Sequence, residues 1–371
     1  MGESVTLEEV AGLAREMSLK FAWLNIPRGG AKSGIAYKGE MSEDVRDRML
    51  REFGEAIAHL LQSREYIAGM DLGIGPEELA IIMSSAGMQP DTAPIETDID
   101  SNYFTALTVF VSLLTLLQKN GKDLPGVRVL VEGVGKVSTH LMRMIVATGA
   151  RVVGVSTILG SVFDENGIDI EELLSLREEH GDACVKFYRS LSVRVPEDLY
   201  LQQADVLIPG ARANSINERN VDVIQARFIV PIANISTSPR MEKLLFDRGI
   251  SYIPGFVTNS GGIFCWYLAR LSPETRESVI RQGYARKIRR LIDTASRKQL
   301  PISIVARLQA HTNANRMFLE GSTPFHRIAA KLRKLSPRRS VYIALSKFLG
   351  SDWSRKDTLF CKSYFNARYF R

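Results

Sequence analysis

The sequence predicts an α/β protein of two domains, the second of which is built on a parallel β-sheet. Its 371 residues are enough for two domains. Over the first 120 residues the apolar positions recur mainly at helical spacing, whereas after Gly121 short apolar runs of strand length alternate with helices. Apolar strands that alternate with helices form parallel sheets covered on both faces, so we expect this architecture in the second domain.

The first domain is predicted over residues 1–120. Helical spacing predicts a helix over residues 5–20, and Ser42 is a suitable N-cap for a second helix that runs to about residue 62. A long helix over residues 103–118 ends at Asn120-Gly121, a common C-cap. Short apolar runs predict strands at residues 21–26, 35–37 and 66–68. We therefore expect a small α/β domain in which helices predominate.

The second domain is predicted over residues 121–265, followed by a helical C-terminal region over residues 266–371. A helix over residues 137–148 follows the first strand, and a basic helical stretch covers residues 270–290. Apolar runs predict five strands, at residues 127–131, 152–155, 205–208, 228–232 and 251–253.

The basic charge lies almost wholly in the C-terminal tail. The last 41 residues hold eleven Lys or Arg and two Asp or Glu, a net charge of +9, so the other 330 residues sum to −2 within the total of +7. The two domains therefore give no reason to expect nucleic acid as a partner. The tail mixes basic and aromatic residues, which is typical either of RNA or acidic-membrane binding or of a solvated or partner-covered extension.

Cysteine and histidine usage favours a cytoplasmic protein without metal. The three cysteines and five histidines are scattered without ligand spacing, so we expect neither a metal site nor a disulfide framework. The N-terminus lacks the apolar segment of a secretory signal, and the longest apolar stretch, residues 104–117, is too short to cross a bilayer. We expect no membrane partner.

A glycine turn at the start of the second domain predicts a Rossmann-like dinucleotide site. The segment VLVEGVGKVSTHLM reads as strand, turn and helix, with Gly133 and Gly135 in the turn. These glycines allow close approach of a pyrophosphate, and the helix that follows presents free N–H groups at Lys136 and Val137. The alternative is a tight turn that binds no ligand.

The end of the second strand bears on cofactor choice. Ser156 and Thr157 stand where an acidic residue would hold a ribose 2′-hydroxyl. Without that carboxylate a 2′-phosphate is not repelled, so we expect either NAD or NADP.

Three residues of the first domain are candidates for proton chemistry. Lys32 follows a double glycine, where the backbone leaves room for a small substrate. Burial or a nearby cation lowers a lysine pKa towards the working range, Lys20 is a second lysine candidate, and Asp71 on a glycine-flanked loop can carry a proton to an amine. The alternative for each is a solvated surface charge.

Ordered motifs resemble the glutamate/leucine/phenylalanine/valine dehydrogenase family. LKFAWLNIPRGGAKSGI resembles the family segment in which one lysine precedes the lysine of P-x-GGAKGG by twelve residues, as Lys20 precedes Lys32. AGMDLGIGPEEL resembles the family's catalytic-aspartate loop. Three further segments, ADVLIPGARANSIN, PIANISTSP and IPGFVTNSGGI, resemble second-domain motifs and match Asn214, Asn234 and Asn259. The matches occur in family order from about residue 10 to 265.

The resemblance implies an amino-acid dehydrogenase that reversibly deaminates an L-amino acid, with glutamate as the expected substrate, to the 2-oxo acid and ammonia. It implies that Lys20 binds the substrate α-carboxylate beside Gly29 and Gly30, that Lys32 activates the attacking water, and that Asp71 moves protons to and from nitrogen. The expected substrate site also includes Asn259. Cofactor contacts are expected from residues of both domains, namely Thr105, Gly133, Gly135, Lys136, Val137, Ser156, Asn214, Asn234 and Asn259. The resemblance also implies a homo-oligomer assembled through the first domain, which would serve in substrate binding and oligomerisation.

Several positions depart from the family pattern. Ser33 follows the catalytic lysine in place of glycine, Gly255 replaces an aspartate, and Trp266 stands where glutamate-preferring members carry serine. Ala106 and Pro231 also replace family residues, and the upstream K-G-G-x-R segment is missing, so the first domain is expected to be truncated. These departures favour a second hypothesis, a dehydrogenase-like subunit with impaired catalysis and a regulatory or structural role. A third hypothesis is association with nucleic acid through the basic tail.

Overall fold

The computed structural model describes residues 5–71, 73–89, 99–189, 191–269 and 271–321. Residues 1–311 form one compact unit, and a second unit begins at Thr312. The basic tail after residue 331 lies outside the described residues, so the RNA-binding hypothesis about it stays a hypothesis.

The N-terminal region is helical where it is described. Thr6 caps the first helix by accepting a hydrogen bond from the Glu9 N–H at 3.2 Å. The single helix predicted after Ser42 is interrupted at Ile57, which leaves the helical conformation. Leu50, Leu61 and Ile82 form a small core between the later helices. The four helices are α1 (Leu7–Trp23), α2 (Glu43–Ala56), α3 (Ala58–Gln62) and α4 (Pro76–Ser85).

The three strands predicted in the first domain are wrong. Residues 21–23 continue α1, because the Trp23 indole N–H donates to the Tyr284 hydroxyl at 2.8 Å and this tertiary contact overrides local strand preference. Residues 35–37 and 66–68 form no strand; within the described part of this region pairing is limited to isolated bridges, such as that between Asp71 and Ile74.

Helix α5 (Ser101–Lys119) forms the centre of the compact unit. Within the described ranges it is the one helix long and apolar enough to cross a membrane, but 67% of its apolar window is buried inside the protein. Twelve of its residues are buried, which is the pattern of a core helix of a globular protein.

The predicted parallel sheet is confirmed and has six strands in the order β3-β2-β1-β4-β5-β6. All neighbouring pairs are parallel except β2 and β3, which form an antiparallel pair that the sequence did not predict. The strand order reverses between β1 and β4, and ligands of such sheets bind beyond the carboxyl ends of the strands at this reversal. The strands are β1 (Arg128–Glu132), β2 (Arg151–Thr157), β3 (Gly160–Phe163), β4 (Val206–Ile208), β5 (Phe228–Ile229) and β6 (Ser251–Tyr252).

Helices cover both faces of the sheet and continue beyond it. Short 3₁₀ segments lie at Gly181–Ala183 and Pro196–Leu201, and a π-helical segment, Val279–Tyr284, lies within the predicted basic stretch. The helices are α6 (Lys136–Val146), α7 (Ile170–His180), α8 (Cys184–Phe187), α9 (Pro239–Asp247), α10 (Gly255–Thr258), α11 (Gly261–Tyr267), α12 (Pro273–Ser278), α13 (Ala285–Lys298) and α14 (Ile302–Gly321).

A buried ion pair joins α14 to the sheet domain. The Arg307 guanidinium donates to both carboxylate oxygens of Glu242 on α9, at 2.5 and 2.6 Å. The side chains of Arg307 and Glu242 are 14% and 3% exposed, so each charge depends mainly on the other for compensation, with Glu16 as a second carboxylate near Arg307.

We predict that Glu242→Gln lowers the free energy of unfolding by about 3 kcal/mol, because it removes the carboxylate that accepts both guanidinium hydrogen bonds of the buried Arg307. Chemical denaturation measures this. The matched control is Glu218→Gln, which removes the exposed pair with Arg240 and should change stability by less than about 0.5 kcal/mol. Equal effects of the two substitutions would contradict the assignment of a structural role to the buried pair.

Candidate functional site

The glycine loop of residues 28–34 is held against α1. The Gly30 N–H donates to the Ser18 hydroxyl at 2.9 Å. A Cβ atom at Gly30 would lie 2.2 Å from the Ser18 nitrogen, whereas a Cβ at Gly29 would meet nothing within 4 Å. Gly30 therefore allows the close approach of loop to helix, and the loop places Lys32 on the same side of the domain as Lys20.

Lys32 and Asp71, which the sequence predicts as residues of one site, form an ion pair. The Lys32 side chain is 22% exposed, and its burial lowers the pKa of its ammonium group. Asp71 is 55% exposed, so its carboxylate can exchange protons with solvent. The pair combines a lysine whose pKa is lowered by burial with an accessible carboxylate, which is an arrangement suited to proton transfer.

Lys20 connects α1 to the second domain. It is buried, and its Nζ donates to Asn234 Oδ1 at 3.0 Å. Asn259 Nδ2 donates to the same oxygen at 3.0 Å and to the Ile232 carbonyl oxygen at 2.7 Å. The structure thus brings three predicted site residues into one hydrogen-bonded chain, which we call the lysine–asparagine chain: Lys20, Asn234 and Asn259.

Opposing effects of its surroundings set the pKa of Lys20. Burial lowers the pKa of Lys20 to about 8; the Glu16 carboxylate opposes this shift and the Lys32 charge adds to it. Glu16 lies one turn earlier on α1, and burial raises its own pKa to about 7, with Arg307 opposing. Lys20 is therefore close to neutralisation at mildly basic pH, and Glu16 is the carboxylate that favours its charged form.

The glycine turn has the geometry expected of a dinucleotide site. Gly133 has φ of +88°, which requires glycine, and its N–H donates to the Ser156 carbonyl oxygen at 2.8 Å. Gly135 is the N-cap of α6, and a Cβ there would meet nothing within 4 Å. Lys136 and Val137 open the helix, so their N–H groups face the space beside the turn.

The three other predicted cofactor residues, Asn214, Thr105 and Ser156, lie on separate elements of the structure. Asn214 is exposed, and its backbone has the left-handed conformation. Its N–H donates to the carbonyl oxygen of Ile235, the residue after Asn234, at 2.7 Å. Thr105 lies against Gly262, where a Cβ would be 2.7 Å from the Thr105 hydroxyl. Ser156 is buried, and its carbonyl oxygen accepts the hydrogen bond from the Gly133 N–H.

Sequence reasoning missed Glu132 and Glu16. Glu132 ends β1, is buried, and accepts hydrogen bonds from the N–H groups of Gly210 and Ala211 at 3.1 and 3.3 Å. It therefore joins β1 to the loop after β4 at the reversal of strand order. A carboxylate at the end of an apolar strand is the signal that could have identified it. Glu16 carried no signal beyond its place four residues before Lys20.

The residues present fit a nicotinamide cofactor. Asn259 Oδ1 is buried and has no hydrogen-bond partner among the described residues, so a donor from a ligand would remove a costly unsatisfied acceptor. The open turn at Gly135 and the N-terminus of α6 suit a pyrophosphate. For metal ions, the described part of the chain holds no group of three His, Cys, Asp or Glu residues suited to one.

Two departures from the family pattern have local reasons. Ser33 donates from its hydroxyl to the Tyr66 hydroxyl at 2.9 Å, which ties the lysine loop to the segment before Asp71. A Cβ at Gly255 would lie 2.2 Å from the Ala233 carbonyl oxygen, so this backbone admits no side chain there. Trp266 lies on α11 and is 39% exposed.

Comparison with family models gives two matches in domain order. The model described as Glu/Leu/Phe/Val dehydrogenase, dimerisation domain, matches residues 1–88. The model described as Glutamate/Leucine/Phenylalanine/Valine dehydrogenase matches residues 99–319, more than half of the chain.

Individual relatives agree with these matches. An NAD-specific glutamate dehydrogenase of Staphylococcus aureus (strain COL) is 28% identical over 271 residues, which are 70% of this chain and 65% of the relative. The chain therefore aligns with just under two thirds of the curated relative's length. The hetero-hexameric glutamate dehydrogenase of Thermus thermophilus in its Leu-bound form has a TM-score of 0.75 and 28% identity, covering 87% of this chain and 81% of that one. L-tryptophan dehydrogenase of Nostoc punctiforme has a TM-score of 0.59 and 22% identity, covering 85% of each chain, and supports the fold alone.

We predict that Gly30→Ala lowers the free energy of unfolding by about 2 kcal/mol, because the added methyl group collides with the backbone of α1. Gly29→Ala is the matched control, one residue away and without a neighbour, and should change stability by less than about 0.5 kcal/mol. Thermal or chemical unfolding of both variants measures the difference. Two equal losses would show that the loop is not held by close approach at Gly30.

Proposed function

Because the chain belongs to the glutamate/leucine/phenylalanine/valine dehydrogenase family, we propose that it is an NAD(P)-dependent amino-acid dehydrogenase that reversibly deaminates an L-amino acid to the 2-oxo acid and ammonia. The observation that supports this most is the meeting of Lys20, the Lys32–Asp71 pair and Asn259 from separate segments of the chain. This reaction needs three kinds of group: a cation that binds a carboxylate, a pair that transfers protons, and an acceptor that binds the cofactor.

Each of the three charged residues has a distinct role in the proposal. Lys20 holds the substrate α-carboxylate with its ammonium group. The carboxylate then accepts a hydrogen bond from Lys20 Nζ either in addition to Asn234 Oδ1 or in its place. Lys32, whose pKa burial lowers, removes a proton from the water that attacks the substrate carbon. Asp71 carries protons between the substrate nitrogen and solvent.

The cofactor is held by the second domain in this proposal. A bound nicotinamide cofactor would supply the hydride acceptor that oxidation of the substrate α-carbon needs. Gly133, Gly135 and the first turn of α6 would hold the pyrophosphate, and Asn259 would position the nicotinamide end through its free Oδ1. The cofactor would thus supply the redox chemistry, while the protein orients the reactants and places charges beside them.

NAD and NADP both fit the end of β2. No acidic side chain stands there; the Thr157 hydroxyl is engaged by the Asp182 carbonyl oxygen at 2.6 Å and the Leu159 N–H at 3.2 Å. Ile158 beyond it is 74% exposed and offers no charge to either ribose form. The NAD-specific relatives support NAD as the first cofactor to test.

Glutamate is the substrate that we propose, supported by the names of the curated relatives. Trp266 is the residue that challenges this choice, because its indole is far larger than serine and offers a single N–H donor. A large apolar side chain would pack better than a carboxylate against an indole. A panel of amino acids therefore has to include leucine, phenylalanine and tryptophan beside glutamate.

We further propose that the protein is a cytoplasmic homo-oligomer assembled through its N-terminal region. The match to a dimerisation domain over residues 1–88 supports assembly, and the buried free thiols of Cys184 and Cys265 suit a reducing compartment.

A regulatory subunit is the second candidate function. Lys20 is engaged by Asn234 and Lys32 by Asp71, so the charges that would receive substrate already have partners. The Thermus thermophilus relative is hetero-hexameric, which supports the idea that a chain of this family can assemble with an unlike subunit. Full activity of the chain on its own would exclude this candidate.

We predict that Lys32→Ala reduces kcat for the preferred amino acid by at least about 100-fold, because the variant lacks the group that takes the proton from water. The absorbance of the reduced nicotinamide, followed with NAD and with NADP over the amino-acid panel, measures this. Lys38→Ala is the control, since Lys38 is an exposed lysine outside the site. No turnover by the wild-type protein with either cofactor would reject the enzyme and leave the regulatory subunit.

We predict that KM for the amino acid rises as pH increases through about 8, since Lys20 loses its proton there and a neutral amine binds a carboxylate poorly. In Lys20→Arg the guanidinium stays charged, so this rise should disappear. Steady-state kinetics of both proteins between about pH 7 and pH 9 provide the comparison. The same rise in wild type and variant would assign the pH dependence to another group.

A further inference from the structure

A cavity of about 1100 Å³ opens at the amino end of the parallel sheet. Asn120 after α5, Ser251 at the start of β6 and Ser303 at the start of α14 line three of its sides. The turn at Gly133 follows the carboxyl end of β1 instead, and Asn234 and Asn259 of the lysine–asparagine chain come after the carboxyl ends of β5 and β6. The cavity is therefore separate from the candidate active site.

The N-terminus of α14 faces this cavity. This helix has twenty residues, and Ile302 and Ser303 in its first turn both line the cavity. The N–H groups of Ile304 and Val305 donate to the Pro301 carbonyl oxygen, which leaves those of Ile302 and Ser303 for a ligand. Such N–H groups carry partial positive charge and favour an anion.

Ser303 provides an independent indication of a ligand. The residue is 1% exposed, and its hydroxyl has no hydrogen-bond partner among the residues that the structure describes. An unsatisfied buried hydroxyl is costly, and a ligand oxygen that accepts from it would remove that cost. The hydroxyl and the free N–H groups belong to the same helical turn, so one anionic group can accept from all of them.

The surrounding charges favour an anion as well. Lys119 pairs with Asp293 at 2.5 Å, and Glu242 is held by Arg307, so both carboxylates of the lining are compensated. Arg290 and Arg297 line the cavity on α13 and are exposed; Arg297 Nε donates to the Asp293 carbonyl oxygen at 3.3 Å, and neither arginine has a carboxylate partner in the described ranges. Two uncompensated guanidinium groups leave the cavity with a net positive charge.

We propose that this cavity binds a small anionic metabolite, whose carboxylate or phosphate group is held by the Ser303 hydroxyl and the first N–H groups of α14, with Arg290 and Arg297 compensating its charge. The volume is that of a site for a small organic molecule, and the ligand would bind without entering the active site. The proposal does not depend on the proposed catalytic function.

Calorimetric titration of the full chain with inorganic phosphate and, separately, with succinate tests the proposal. Ser303→Ala should weaken binding of the preferred probe about tenfold, because one hydrogen bond to a charged group is lost. Ser303→Thr keeps a hydroxyl and should retain binding. Arg290→Gln combined with Arg297→Gln should weaken binding and reduce its dependence on salt.

The matched controls are Ser63→Ala and Arg51→Gln, exposed residues away from the cavity, which should leave binding unchanged. Binding of succinate alone would identify a carboxylate ligand, and binding of phosphate alone a phosphate ester. No binding of either probe, or binding equal in wild type and Ser303→Ala, overturns the proposal. Thermal unfolding of each variant establishes that it is folded at the temperature of titration.

Discussion

The hydrogen-bonded chain from Lys20 through Asn234 to Asn259 is the interaction on which the site depends. It joins a helix of the N-terminal region to two loops that follow neighbouring strands of the sheet. Because a buried ammonium group needs acceptors, the position of Lys20 fixes how α1 approaches the sheet domain. The indole of Trp23 supports the same approach through Tyr284. The approach of α1 to the rest of the compact unit is thus determined by polar contacts as well as by apolar packing.

The same burial that organises the site tunes its chemistry. Lys20 and Lys32 both have lowered pKa values because they are withdrawn from water, and Glu16 is drawn into the same environment with a raised pKa. These shifts bring the three groups towards neutral pH, where groups that transfer protons work best. Burial of these three side chains therefore both positions them and shifts their pKa values.

The sequence predicted the elements whose signals are local. The strands of the sheet other than β3 and the turn at Gly133 followed from apolar runs and glycines, and motif order predicted Lys32 and Asp71 as residues of one site. It could not predict that Trp23 remains helical, because that depends on Tyr284, which lies 261 residues away. Glu16 was missed for the same reason, whereas Glu132 carried a local signal, a carboxylate at the end of an apolar strand. Asn259 was predicted as a site residue, but its free Oδ1 could be recognised only from the packing around it.

The most direct test of the account is a structure of the protein with NAD and the amino acid that it oxidises fastest. The account predicts that the substrate carboxylate contacts the ammonium group of Lys20, and that Asn259 Oδ1 accepts a hydrogen bond from the bound ligands. The Lys32–Asp71 pair should face the substrate nitrogen. A ligand bound away from Lys20, with the contacts from Lys20 to Asn234 and from Asn259 to Asn234 unchanged and Asn259 Oδ1 still without a partner, would contradict it.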